Sequence, residues 1–444
     1  MGYVSKRKRP NEYASKSSHV YVINSPSVRN FLARCDLPKR ADEVSLDNYL
    51  IQSLEPTDDN PIRHIIAIDG GYSEVPVQVE FPSSTIAFFQ FGALTFNIRD
   101  LEELDEQPFI DPDDMTKLKQ IQRLELVLPI RNVALKDEVT LTSSVRRAMY
   151  EFFRNGLDDG LATLKWLIFQ EYDRALDQWN LANCPHCNER NVPLKRNRMS
   201  KEYTFECMFC NKEIFLTDVF RLHEAIDDDV GAGGILGYVT VTVEQVILAH
   251  LIRLILKMRP VLLDEILFIK DGPLAFFGQT ANVHKPMREL VKFLFDRHNL
   301  HLAGLEKSGP FVEHADEIAQ RLGLGEFLIL SDEYIYKYII PGRANPNNPY
   351  GCTTYYGNKI IFRSSDDRTY VITLPTTEVL TNPTVHDFRN LDVILSNIQK
   401  LRCDMYDDAL FPVALVNKLV SLADHPSTRI LQRFAVDTMH VHPG

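Results

Sequence analysis

His64-Ile65-Ile66-Ala67-Ile68-Asp69-Gly70 is an unbroken apolar run ending in Asp-Gly, and Ile266-Leu267-Phe268-Ile269-Lys270-Asp271-Gly272 repeats the form in the second half of the chain. A run of Ile, Leu and Phe without polar alternation suits a central strand buried on both faces. The Asp then falls where the strand leaves its sheet, and the Gly lets the backbone turn sharply. Asp-Gly is also ordinary turn chemistry, so either motif alone carries little. Taken together, and with the two strands as neighbours, Asp69 and Asp271 would point into one crevice. Two carboxylates a few ångströms apart stay ionised together only with a divalent cation between them. That is the arrangement of metal-ion phosphoryl chemistry.

Outward from these strands, 444 residues are too many for one ordinary core and predict two or three structural units. A hydrophobic content of 45% with 25% charged residues is that of a soluble globular protein. No apolar run reaches the length of a membrane span, because 246–256 is interrupted by His250 and Arg253, and no membrane association is expected. The basic run Lys6-Arg7-Lys8-Arg9 has no apolar segment behind it, so it is not a signal peptide. It reads as an arm able to touch phosphate or a partner. The net charge of −11 argues against a protein that coats nucleic acid by charge alone. It leaves room for an enzyme that grips DNA through bound metal and a local basic channel.

Four of the seven cysteines form Cys184-Pro-His-Cys187 and Cys207-Met-Phe-Cys210, with residues 188–206 between the pairs. Two CxxC turns whose thiolates converge make a tetrahedral soft-ligand site suited to zinc. Tyr203-Thr204-Phe205-Glu206 and Asn211-Lys212-Glu213-Ile214-Phe215 read as the paired strands of a zinc ribbon. Four thiolates leave no open position for water, so the zinc is structural and His186 is a bystander. Cys35, Cys352 and Cys403 read as reduced thiols, which places the chain in a reducing, cytoplasmic compartment. The ribbon sits between a long helical stretch at about 142–181 and a helix near 244, as a clip inserted in a larger domain.

The remaining map is mixed α/β. Val75–Phe81 and Ile86–Phe91 suit a hairpin joined by Pro82-Ser83-Ser84. The segment 99–116 carries Asp100, Glu102, Glu103, Asp105, Glu106, Asp111, Asp113 and Asp114 and reads as exposed loop, followed by a helix at about 115–128. Residues 353–373 predict two strands around turns at Gly357-Asn358 and Ser364–Asp367, and the chain from about 385 reads as helical. The organisation is an arm and lead-in at 1–60, a first part of the main domain at 61–181, the ribbon at 182–216 and the second part at 217–444.

The order Ala67-Ile68-Asp69-Gly70-Gly71, Phe268-Ile269-Lys270-Asp271-Gly272-Pro273-Leu274, Leu305-Glu306-Lys307-Ser308 resembles that of the NurA nucleases, in a form carrying a zinc ribbon as in bacteria. The resemblance implies an RNase H-like mixed sheet with flanking helices, and a homodimer that cuts DNA with manganese. It also implies a HerA-type hexameric ATPase as partner, in DNA-end processing (DNA repair) or antiviral defence. It makes Asp69 and Asp271 metal ligands, matches Glu244 to the family's intermediate acid, with Glu125 in reserve, and matches Lys307 to a lysine that steadies phosphate charge. Thr242-Val243-Glu244-Gln245 equally fits a capping box in a first helical turn, and Lys307 equally fits a surface lysine. The departure is at Leu410-Phe411-Pro412-Val413-Ala414-Leu415-Val416, where the family's following histidine is Asn417. Asn417 could ligate through its amide oxygen, or His425 could substitute. His298 and His301, spaced i, i+3, read as a helix end.

The chemistry this implies is two-metal phosphodiester hydrolysis, with Mg²⁺ or Mn²⁺ on oxygen ligands and zinc held apart on Cys184, Cys187, Cys207 and Cys210. The rival from another class is a catalytically quiet adaptor that docks on a DNA translocase.

Overall fold

The computed structural model describes residues 18–46, 50–55, 59–99, 121–403, 409–422 and 426–441. Its strands are β1 (Ile51–Ser53), β2 (His64–Gln78), β3 (Ser84–Asn97), β4 (Ile121–Arg131), β5 (Gln178–Asn183), β6 (Arg190–Lys195), β7 (Thr204–Glu206), β8 (Glu213–Phe215), β9 (Ile266–Asp271), β10 (His301–Glu306), β11 (Glu326–Ile329), β12 (Gly357–Arg363) and β13 (Thr369–Pro375). Nine of them form one mixed sheet in the order β1-β11-β12-β13-β10-β9-β2-β3-β4, and β5–β6 and β7–β8 are separate hairpins. The two Asp-Gly strands are neighbours: β9 lies parallel to β2 on one side and parallel to β10 on the other.

Both faces of this parallel centre are covered, which is why its strands are apolar throughout. Ile66, Ile68 and Phe268 face the helices Leu141–Glu151, Gly160–Ile168, Leu236–Met258 and His284–Arg297. Ile65, Ala67, Leu267, Ile269 and Leu305 face the helices Leu391–Lys400 and Phe411–Val420 on the other side. The period-2 alternation of side chains along a strand assigns each residue to one of these layers.

The stretch Gly233–Met258 is the one helix among the described residues long and apolar enough to cross a membrane, despite His250 and Arg253 within it. It is a core helix, with 72% of its most apolar window buried against the rest of the chain. His250 and Arg253 share the Thr163 hydroxyl of the neighbouring helix, at 2.9 and 3.1 Å, and Arg253 also reaches Asp159 at 3.5 Å, while His250 Nε2 and Arg253 Nε are buried without a hydrogen-bond partner. The helix stops at Pro260, which cannot continue it.

Several local expectations change. Residues 121–131 are edge strand β4, in which Leu124, Leu126 and Leu128 alternate inward, rather than part of a helix at 115–128; residues 100–120, with the acidic segment, lie outside the described residues. The helical stretch at 142–181 breaks into two helices around a wide turn at Phe152–Gly156, and its last residues belong to β5. Gly357 and Asn358 open strand β12 instead of forming a turn. The hairpin of β2 and β3, the ribbon strands β7 and β8, and the turn joining β12 to β13 stand where the sequence placed them.

Candidate active site at the carboxyl ends of the parallel strands

β9 pairs with β2 as far as Ile68↔Lys270 and ends at Asp271, where Gly272 takes a φ of +78° and turns the chain away. β2 does not end. It continues through Asp69, Gly70 and Gly71 to Gln78, held on its other edge by β3, so Asp69 sits inside a ladder opposite Gly92. The expected strand-end turn at Asp69-Gly70 is thus absent. The glycine serves another purpose: a Cβ at Gly70 would lie 2.6 Å from the Phe91 ring and 3.2 Å from Glu244 Oε1. The departure of β9 opens a notch beside Asp69, at the place where open α/β sheets bind ligands.

Asp69 is 2% exposed. It accepts hydrogen bonds from Gly70 N (2.8 Å) and Asn417 Nδ2 (2.9 Å). Burial pushes its pKa up to about 8, helped by the charges of Asp271 and Glu244 and opposed by Lys307 and the Asn417 amide. Asp271 meets the Lys307 ammonium at 2.8 Å. Glu244 meets Lys270 at 2.7 Å; burial raises Glu244 to about 7 against the pull of that lysine. Lys270 is 1% exposed and also donates to the backbone carbonyl of Asp271. The notch thus joins three carboxylates to two ammonium groups, and Asp69 is the acid without a lysine directly on it.

The sequence candidates divide clearly. Asp69, Asp271, Glu244 and Lys307 come together around the notch. Glu244 is not in a first helical turn, since its helix begins at Leu236, so the capping-box reading fails, and the Thr242 hydroxyl is buried without a partner. Asn417, from the helix Phe411–Val420, turns its amide nitrogen toward Asp69 and holds that carboxylate in place. Glu125 is exposed on edge strand β4 opposite Gln90, and His298 caps a helix while His301 is buried at the start of β10. His425 and the run Lys6–Arg9 lie outside the described residues. Lys270 was legible but passed over: a lone lysine in a strand buried on both faces requires an anionic partner.

The donors around the notch are all oxygen, which suits Mg²⁺ or Mn²⁺ rather than zinc. Their spacing differs from that of the thiolates. Among the described residues, only Cys184, Cys187, Cys207 and Cys210 bring their ligand atoms all within 4.8 Å of one another. The Cys184–Cys210 and Cys187–Cys207 sulfurs are each 3.9 Å apart, close to the edge of about 3.8 Å that tetrahedral zinc at ~2.3 Å requires. His186 Nε2 sits 2.8 Å from the Glu213 carbonyl, bracing the two knuckles rather than ligating. Arg146 of the main body meets the ribbon at the Glu213 carbonyl (3.2 Å) and His186 Nε2 (3.4 Å), and its guanidinium grips buried Asp218 through two bonds of 2.8 Å. Asp218, just past the ribbon, accepts in turn from Phe215 N at 2.8 Å.

No family model and no curated protein matches this sequence. Among solved structures, the crystal structure of the NurA nuclease from Sulfolobus solfataricus aligns with it over 94% of each chain, at 8% sequence identity and a TM-score of 0.34. At that distance the function has to be argued from the residues of the notch.

Proposed function

We propose that the notch is the centre of a metal-dependent nuclease that hydrolyses DNA phosphodiester bonds. The observation that carries this is Asp69: a buried carboxylate held by hydrogen bonds between two further acids, where an ionised group persists only if positive charge is brought in. Asp69, Asp271 and Glu244 would hold Mg²⁺ or Mn²⁺. Such ions supply Lewis-acid charge to phosphate oxygens and lower the pKa of bound water, singly or as a pair.

The chain's own groups then divide the remaining work. Lys270 is sealed from solvent and pairs with Glu244, opposing the rise that burial imposes on that acid. Lys307 is 28% exposed on its side chain and, of the two lysines, is the one within reach of a ligand. Asp271 would be among the residues that hold the cation, and Lys307, paired with it here, would set its ammonium against a phosphate oxygen and oppose the charge that builds there. An acidic chain holds DNA weakly and with strong salt dependence. Action as a homodimer docked on a HerA-type hexameric ATPase in the cytoplasm, in end processing or phage defence, would overcome this.

The test is Mn²⁺ binding and duplex cleavage side by side for wild type, Asp69→Ala and Asp271→Ala. Both substitutions should reduce cleavage to background while leaving the circular-dichroism spectrum intact. A wild-type rate in Asp271→Ala would sink the assignment. Binding to the ring ATPase with no Mn²⁺-dependent cutting would favour the adaptor.

A further inference from the structure

A second buried ion pair lies under the same strand ends, and the chemistry of the notch does not use it. Gly304, Thr373 and Lys359 are cross-strand partners in one row across β10, β13 and β12. Thr373 has a short side chain, so the Lys359 stem can lie across it toward β10, while the space over Gly304 is taken by the Gly272 carbonyl and Leu274. There its ammonium pairs with Glu306, which also accepts from the Thr373 hydroxyl at 3.4 Å. Lys359 is 3% exposed. Its Nζ also lies 4.3 Å from the centre of the Phe311 ring and 4.7 Å from that of Tyr355.

Glu306 and Phe311 are the residues on either side of a short turn. Glu306 ends β10, Lys307-Ser308-Gly309 make the turn, and Pro310 starts the helix Pro310–Ile318 that carries Phe311. Gly309 has a φ of +100°, with open space around it. One buried cation therefore grips both ends of the turn that presents Lys307, by an ion pair on one side and a cation–π contact on the other. A well-packed apolar pair would hold the layers together at least as well as a buried ion pair. What the charges add is direction, because an ammonium between a carboxylate and a ring face fixes both against sliding.

We propose that Lys359 and Glu306 are positioning residues that aim Lys307 at Asp271 and at the phosphate. This deepens the nuclease reading and rests on it for the role of Lys307, but the aiming itself can be measured without DNA. The experiment uses the full chain with ζ-¹⁵N-lysine and follows the Lys307 ammonium signal by NMR, assigned through its loss in Lys307→Arg. In Lys359→Met and Glu306→Gln that signal should shift or broaden, and Lys359→Arg should restore it in part. The apolar double variant Glu306→Leu with Lys359→Met should keep the wild-type melting temperature. Its kcat for DNA cleavage should nevertheless fall about tenfold or more, the range for groups that orient reacting ones, with KM within about twofold. Phe311→Leu leaves both charges in place and should give a smaller shift of the same signal, which keeps the idea testable if Lys359→Met does not fold. An unchanged Lys307 signal in every variant that folds would overturn the proposal. Shifted signals in the variants, together with a wild-type chain that cuts no DNA, would overturn the nuclease reading and leave the aiming intact.

Discussion

The four-cysteine centre and the carboxylate notch are both clusters of candidate metal ligands, and they are built in opposite ways. The thiolates come from two turns close in sequence, and their sulfurs already stand at tetrahedral spacing. The carboxylates come from β2, β9 and the helix Leu236–Met258, and two of the three are drawn onto lysines. One site is organised by local turn geometry. The other is organised by the sheet, with ammonium groups holding mutually repelling acids in place. A centre of the first kind suits a permanent structural ion, and a centre of the second kind suits ions that arrive and leave with substrate.

The largest effect should come from breaking the first centre. Purified protein should carry about one zinc per chain by elemental analysis. Changing Cys184 and Cys207 to Ser together should remove it and lower the melting temperature or solubility sharply, because structural zinc in small modules contributes on the order of 10 kcal/mol of folding free energy. Full zinc retention in that double variant would rule the ribbon out.

Next in size is the join between ribbon and body. Arg146→Ala leaves Asp218 buried and uncompensated, and denaturant unfolding should show a loss of about 3–5 kcal/mol. Replacing Arg146 with Met and Asp218 with Leu together should recover most of it. If Arg146→Ala is neutral, the two regions are energetically independent and the ribbon is merely attached.

A third effect concerns pH in the notch. Unfolded Asp69 ionises near 3.8, whereas the folded carboxyl holds its proton up to about 8. Between those values the folded chain binds the extra proton, so metal-free protein should lose stability as pH rises from about 4 to 8. Asp69→Asn should flatten that slope and melt higher than wild type at pH 8, and Mn²⁺ should narrow the gap by stabilising wild type more. A melting temperature for metal-free Asp69→Asn below that of wild type at pH 8 would mean that Asp69 is not under electrostatic strain.

The ribbon and the two central strands were legible because their signals are local. A CxxC turn is complete within four residues, and an apolar run reports burial on both faces wherever it pairs. The helix expected at 115–128 failed for the converse reason: Leu124, Leu126 and Leu128 alternate with period 2, but the signal is short and lies beside a charged segment. Glu244 is matched by resemblance to an acid on a helix ahead of the second Asp-Gly strand, and the competing capping-box reading fails because that helix begins at Leu236, about two turns before Thr242.

By itself the sequence determined the pair of Asp-Gly strands, the four paired cysteines and the presence of a lysine that could not be buried alone. Only the tertiary structure decided that β2 runs on past Asp69 while β9 stops, so that a notch opens between a continuing strand and an ending one. It alone decided that Asn417 steadies Asp69, and that Lys359 reaches across two strands to Glu306. The physical reason is range. Turn geometry and hydrophobic periodicity act over a few residues and are written in order along the chain, whereas the pairing of charges in a buried site depends on which strands the whole sheet brings side by side.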